Sequence, residues 1–148
     1  AADNHPARAN ALMLADTMNS HCIIAANNYE TSEAYYYNPK WVGGDRDPRE
    51  YYPELLTDKT DDPLSPPCTG EVLESSPQLA LFNMRAAADA LWLHRFWSVV
   101  LPELMEEGAL DDATTDTIPV LVSSTAGRAS VKTIGDFNAQ TKENEQSS

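Results

Sequence analysis

Two cysteines, three histidines and several short acidic runs are the groups in this 148-residue chain that could do chemistry. Cysteines pair as disulfides or bind metal, histidines ligate or move protons, and clustered carboxylates hold cations. Spacing removes most of these options. Cys22 and Cys68 lack a Cys-x-x-Cys arrangement, and two thiols are too few for zinc unless histidines help. No second histidine lies three or four residues from His94. His21 and Cys22 are neighbours whose side chains leave a helix in different directions, so they cannot easily share a metal. His5 has no such company. Asp58, Asp61 and Asp62, followed by Gly70 and Glu71, have the composition of a calcium loop without its alternation, central glycine or terminal glutamate. A solvated acidic loop is the default there, and a calcium site of another type is the alternative. Asp111, Asp112 and Asp116 read the same way, or as caps of a turn. Ser123, Ser124 and Ser130 belong to no Gly-x-Ser-x-Gly elbow. Gly43-Gly44 runs into Asp45, the wrong charge for cradling phosphate. The expectation is a non-enzyme with no catalytic residue, no metal and no cofactor.

The most distinctive stretch is aromatic: Tyr35, Tyr36, Tyr37, Trp41, Tyr51 and Tyr52. Burial as a minor core is the first reading, because so long a loop must bury something. An interface for a partner protein and stacking on sugars are the alternatives. As candidate interface residues these aromatics join Ala11, Leu14, Ala15 and Met18 of the first helix.

Those residues need elements to hold them. A helix is expected from Pro6 to Asn28, capped by Asn4, with Ala11, Leu14, Ala15, Met18, Cys22 and Ala25 at helical spacing. Tyr29–Ser75 is rich in proline and glycine and reads as an ordered long loop with at most one short strand near Ala34–Val42. Cys68 lies in its proline-rich part, beside Pro66 and Pro67. A Cys22–Cys68 disulfide would close a loop of about 47 residues and add roughly 4 kcal/mol in the chain-entropy view. The alternative is two unrelated thiols in a reducing cytosol. A second long helix starts at Ser75 or Ser76 before Pro77 and runs to about Val100. Its buried face is expected at Leu79, Phe82, Ala86, Ala90, Leu93, Trp97 and Val100. Pro102 interrupts or restarts it, and Gly108 ends the last turn. Thr117–Ser124 reads as a strand, placed at an edge by Pro119. A turn at Ala126-Gly127 leads to a second strand, Ala129–Ile134. The fold class is α+β: two long helices, the first N-terminal, packed with a small antiparallel sheet and joined by a disulfide-tied loop. Residues 1–138 form one domain, and 139–148 form a polar, disordered tail.

With 23 acidic residues against 10 basic, the net charge is −13. Such a surface repels phosphate backbones and anionic lipid headgroups, and the basic residues form no stripe, so nucleic acid is excluded as the main partner. The apolar stretch Leu79–Leu101 is broken by Arg85, Asp89, His94 and Arg95, so it is a packed helix and not a membrane span. Ala1-Ala2-Asp3 looks like a freshly cut end, which carries the expectation of an exported protein, periplasmic or at the cell surface.

The run Ala7-Arg8-Ala9-Asn10-Ala11-Leu12-Met13-Leu14-Ala15-Asp16-Thr17-Met18, followed by Ala25-Ala26-Asn27-Asn28-Tyr29, resembles the second half of the long N-terminal helix of minor pilins. The likeness is to the type IV pilus modification group. Pro67-Cys68, Ala87-Ala88-Asp89-Ala90-Leu91-Trp92 and Leu101-Pro102 resemble that group's cysteine, its Ala-Asp-Leu…Trp helix and its Leu-Pro sequence. Glu103-Leu104 stands where that group has Gly-Gly. The resemblance implies a missing apolar half-helix before Ala1 as the only route to a membrane. It also implies other pilin subunits as partners, with a role in pilus assembly or tip display. The alternative is a secreted accessory or binding subunit that docks on a larger extracellular or periplasmic complex through the Tyr/Trp-rich loop.

Overall fold

A computed structural model describes residues 5–27, 30–58, 80–126 and 128–147. Helix α1 spans His5–Met18. It stops there because Asn19 takes the left-handed conformation, with φ +48°. The Ser20 amide then donates to the Ala15 carbonyl at 3.0 Å and the Asn19 amide to Asp16 at 3.2 Å. That pair of bonds is a Schellman cap, with asparagine in the position that glycine usually takes. The expected helix to Asn28 is therefore corrected: its second half is strand β1, Cys22–Asn27. Ile23 and Ile24 are β-branched and favour the pleated backbone. Asn4, the expected cap, lies outside the described residues.

β1 turns back into β2, Thr31–Tyr37, with Cys22 opposite Tyr37 and Ile24 opposite Tyr35. A 3₁₀ turn at Pro39–Trp41 follows, then two single-turn helices, α2 at Pro48–Tyr51 and α3 at Glu54–Thr57. The described part of the expected loop is thus mostly regular, and its strand lies earlier than Ala34–Val42.

Helix α4, Ala80–Arg95, opens into a π turn at Phe96–Val100 and resumes as α5, Leu101–Glu106. Pro102 has no N–H to return to Ser98, and its ring crowds that carbonyl. Widening the preceding turn relieves the clash, so the helix continues. The combined run of about 27 residues is the longest helix, and it is not N-terminal. Gly108 ends it with φ +67°, as the sequence predicts. After α6, Asp112–Asp116, come β3, Pro119–Thr125, and β4, Arg128–Thr133, the expected hairpin.

The four strands form one antiparallel sheet in the order β1-β2-β3-β4. Pro119 does not mark an edge. β3 is interior, and its pairing with β2 ends at Leu121 opposite Tyr35, so the missing proline N–H falls beyond that ladder. Of residues 139–148, expected as a polar, disordered tail, 139–146 continue helix α7, Ile134–Gln146. A capping box starts it: the Thr133 amide donates to the Asp136 carboxylate, and the Asp136 amide donates to Thr133 Oγ1. Ile134 and Phe137 anchor it by burial.

The disulfide-tied loop is also overturned. Cys22 carries a free thiol, and Cys68 lies outside the described residues. The molecule is α+β, as expected, but with a short first helix and no disulfide among the described residues. On one face of the sheet, α1 and α3 cover Ile24, Tyr35, Tyr37 and Leu121. On the other, α4 covers Ala34 and Val122 through Leu93 and Ala90. At the end of the sheet, Ile118 and Val120 meet α7 through Ile134 and Phe137.

Candidate interaction site

The aromatic stretch folds inward. Tyr35, Tyr36 and Tyr37 are buried, and Trp41, Tyr51 and Tyr52 are half-buried against them. Strand alternation sends Tyr35 and Tyr37 beneath α1 and Tyr36 beneath α4. Tyr36 stacks on Trp97, with ring centroids 3.7 Å apart and planes within 3°. Trp41 closes edge-on to both rings. These residues form a core and offer no open stacking platform for a sugar. Of the first-helix candidates, Ala15 is buried and Ala11 packs on the same core, whereas Leu14 and Met18 stay exposed.

One cation organises the polar side of this core. Asp47 caps α2 and, at 1% exposure, receives the amides of Gly43 and Arg49 at 2.9 and 3.0 Å. The Arg49 side chain turns back on it, Nε reaching both Asp47 oxygens at 2.9 and 3.2 Å. Its two outer nitrogens donate to Asp16 at 2.7 Å and to the Tyr37 hydroxyl at 2.7 Å. Tyr37 in turn donates to Asp16 at 2.6 Å. Burial alone would raise the Asp16 pKa, but the bonds from Arg49 and Tyr37 outweigh it and hold the carboxyl below its ordinary value. Nearby, Glu33 accepts from Arg8 at 3.1 Å and from the Tyr52 hydroxyl at 2.8 Å. Both networks join elements of the fold and leave no group poised for proton transfer to a ligand.

The thiol and the phenols are pushed the other way. Burial first, then the Asp16 charge, raises Cys22 from 9.0 to about 11. A thiol held so far from ionising is a poor nucleophile and a poor metal ligand. Burial likewise raises Tyr35, Tyr36, Tyr37, Tyr51 and Tyr52. The folded chain therefore keeps protons that the unfolded chain gives up at about pH 9–10. Stability is full below that range and declines as pH rises through it. The expected result is a falling unfolding midpoint above about pH 9, with phenolate absorbance appearing together with loss of near-UV circular dichroism. Tyrosines that titrated one by one near pH 10 with the fold intact would contradict the burial argument.

The remaining chemical candidates are occupied or scattered. His21 Nδ1 bonds the Tyr36 hydroxyl, and His94 is exposed on α4. Ser123 and Ser130 bond each other across β3 and β4 at 2.9 Å. Asp111 caps α6 by accepting the Thr114 amide at 2.7 Å, and bonds from Thr114 lower its pKa. Asp61, Asp62, Gly70 and Glu71 lie outside the described residues. Among the described residues, no three His, Cys, Asp or Glu side chains are placed to hold a metal. A groove of about 280 Å³ between Trp41, Arg46 and Phe137 is shallow, and a Thr141–Asp45 hydrogen bond joins two of its walls.

Among the described residues, the outer side of α4 is left exposed. Phe82, Ala86, Asp89 and Leu93 face the sheet. On the opposite side, Leu81 is 69% exposed, Met84 72%, Leu91 71% and Trp92 47%. Ala87 and Ala88 lie between them, also exposed. Asp89 is held by Arg85 at 2.8 Å. Large apolar side chains gathered on the exposed side of a packed helix mark interaction sites. Periodicity marks the buried stripe through Phe82, Ala86 and Leu93, but it does not say that the apolar residues on the other side stay exposed. The signal available was that excess of apolar residues itself. Among the described residues, no helix is long and apolar enough to cross a membrane. None of the family models, curated proteins or solved structures compared with the chain matches it, and nothing in those comparisons identifies a minor pilin.

Proposed function

We propose that the protein is a non-catalytic interaction subunit that docks through the outer face of α4. The observation that carries this reading is the exposed ridge Leu81, Met84, Leu91 and Trp92 on a helix whose other side is already packed. Fully burying one such side chain is worth about 1.5–3 kcal/mol, so the ridge holds enough apolar surface to drive association. The polar networks around Arg49 and Glu33 support the reading by spending their donors and acceptors inside the fold.

A second reading, a minor-pilin-like fibre subunit, is favoured by one observation: α1 also exposes Met13, Leu14 and Met18. In that case α1 would be the surface shared between subunits.

The four methionines separate the two. Met84 reports the α4 ridge, Met13 and Met18 report α1, and Met105 reports α5; all are more than half exposed. Oxidative footprinting in the native assembly should protect Met84 selectively from sulfoxide formation. Protection of Met13 and Met18 instead would support the fibre reading. Equal oxidation of all four would sink both.

A further inference from the structure

We infer that the open edge of the sheet, strand β4, docks an extended acidic peptide segment, which joins the sheet as a fifth strand. This goes beyond the α4 reading and does not depend on it. β4 ends the strand order, so one side of its backbone has no neighbouring strand among the described residues. On an edge strand, half of the amides and carbonyls point away from the existing ladder and can pair with a further strand. β1, the other edge, has Ile24 and Ala26 buried, whereas Arg128, Ala129, Ser130, Val131 and Lys132 are all exposed. β4 is thus open on both faces as well as along its edge.

The pleat sorts these side chains by chemistry. Val131 lies opposite Val122, on the side of the sheet that α4 covers, and Ala129 shares that side. Arg128, Ser130 and Lys132 take the other side, where Ser130 bonds Ser123 at 2.9 Å. One face of the edge is therefore apolar, and the other carries two cations and no carboxylate. A segment that fits it alternates acidic and apolar side chains, with its acids four residues apart.

Charge selects the partner. The chain carries −13, so a strand with only basic charges is a local exception on it. Among the described residues, Arg128 has no carboxylate partner. Lys132 lies 5.8 Å from the centre of the Phe137 ring, and the Asp136 carboxylate near it is already bound by Thr133. Glu33, on the same face two strands away, is held by Arg8 and Tyr52. A second copy fits worse. In the antiparallel register centred on Ser130, Arg128 of each copy would meet Lys132 of the other, and like charges directly opposite are destabilising. Basic residues guard an edge against pairing with itself. Carboxylates on an incoming strand turn the same residues into points of attraction.

The probe is a synthetic octapeptide with glutamates at its third and seventh positions, valines at the second, fourth and sixth, and threonines elsewhere. Titrated into the whole isotope-labelled chain at low salt, it should shift the amide resonances of β4, and binding should weaken as salt rises. Arg128→Glu should weaken binding about threefold or more, with unchanged circular dichroism because the site is exposed. Of two peptides N-methylated on odd or on even residues, one should bind and the other should not, because only one set of amides faces the sheet. No shift at millimolar peptide overturns the inference. Equal binding by both methylated peptides, or by a peptide with lysines in place of the glutamates, overturns it as well. So do β4 shifts that appear in the chain alone as its concentration rises, which would assign the edge to a second copy.

Discussion

Replacing Arg49 by alanine should cost about 3 kcal/mol of folding stability, at the lower end of the range for breaking a buried ion pair. The loss arises mainly in what is left behind. Asp47 is 1% exposed and would keep its two backbone amides but lose the Arg49 guanidinium that reaches both its oxygens through Nε. Asp16 would keep the Tyr37 hydroxyl and lose its charged partner. The surviving amide bonds and the partial exposure of Asp16 place the effect at the low end. Arg49→Lys should recover only part of it, because an ammonium cannot span three acceptors as the guanidinium fork does. The measurement is the urea midpoint with its slope. A loss under about 1 kcal/mol would class the network with exposed surface pairs. The acid side offers a check on sign. The folded pKa of Asp16 is lowered, so its contribution is present above about pH 4 and disappears as pH falls through the folded value. In Arg49→Ala that acid dependence should shrink.

Trp97→Ala should cost about 3 kcal/mol, the low end of the range for truncating a large buried aromatic, because Trp97 is only partly buried. Trp97 belongs to two clusters, the one beneath α4 and the one at the end of the sheet against α7. Its ring stacks on Tyr36, and its indole nitrogen donates to the Pro119 carbonyl at 2.9 Å. Truncation would separate the two clusters and leave that carbonyl without the bond. Trp97→Phe keeps a ring against Tyr36 and loses the donor, so a smaller loss of about 1–3 kcal/mol is expected. Hydrogen exchange should show where the damage falls. Amides of α7 should open first in Trp97→Ala, while those of β1 and β2 should keep most of their protection. Uniform loss of protection would mean that the clusters do not behave as separate units.

The legibility of these features follows their range along the chain. α4 was readable because Phe82, Ala86 and Leu93 recur at helical spacing, and Gly108 because a left-handed helix end favours glycine. The β3–β4 hairpin was readable from alternation and a turn. The end of α1 is not evident from the sequence, although asparagine at position 19 is a known type of helix terminator. Cys22 and Ala25 continued the helical spacing and masked the strand preference of Ile23 and Ile24. α7 was missed because its polar residues outweighed a local signal, the Thr133–Asp136 capping box. The inward packing of Tyr35, Tyr36 and Tyr37 was the first reading of that stretch, and the structure places them so. The Arg49 network had no local signature at all. It needs Asp16, Tyr37, Asp47 and Arg49 from three elements, and only the fold brings them together. The ridge on α4 was visible as apolar residues, but which of them face outward depends on the side the sheet occupies.

The strand order also bears on how fast the molecule assembles. β1–β2 and β3–β4 are each local hairpins, which form in about 1–10 μs. The β2–β3 ladder that unites them must close roughly 80 intervening residues. Folding speed should therefore be governed by this one meeting, between an early-made and a late-made half of the sheet. During synthesis the first hairpin emerges with one edge of β2 unmated until the last quarter of the chain arrives. Lengthening the intervening chain would alter stability little, since doubling a loop costs only about 0.6 kcal/mol. It would instead prolong the interval in which β2 can pair with the wrong strand.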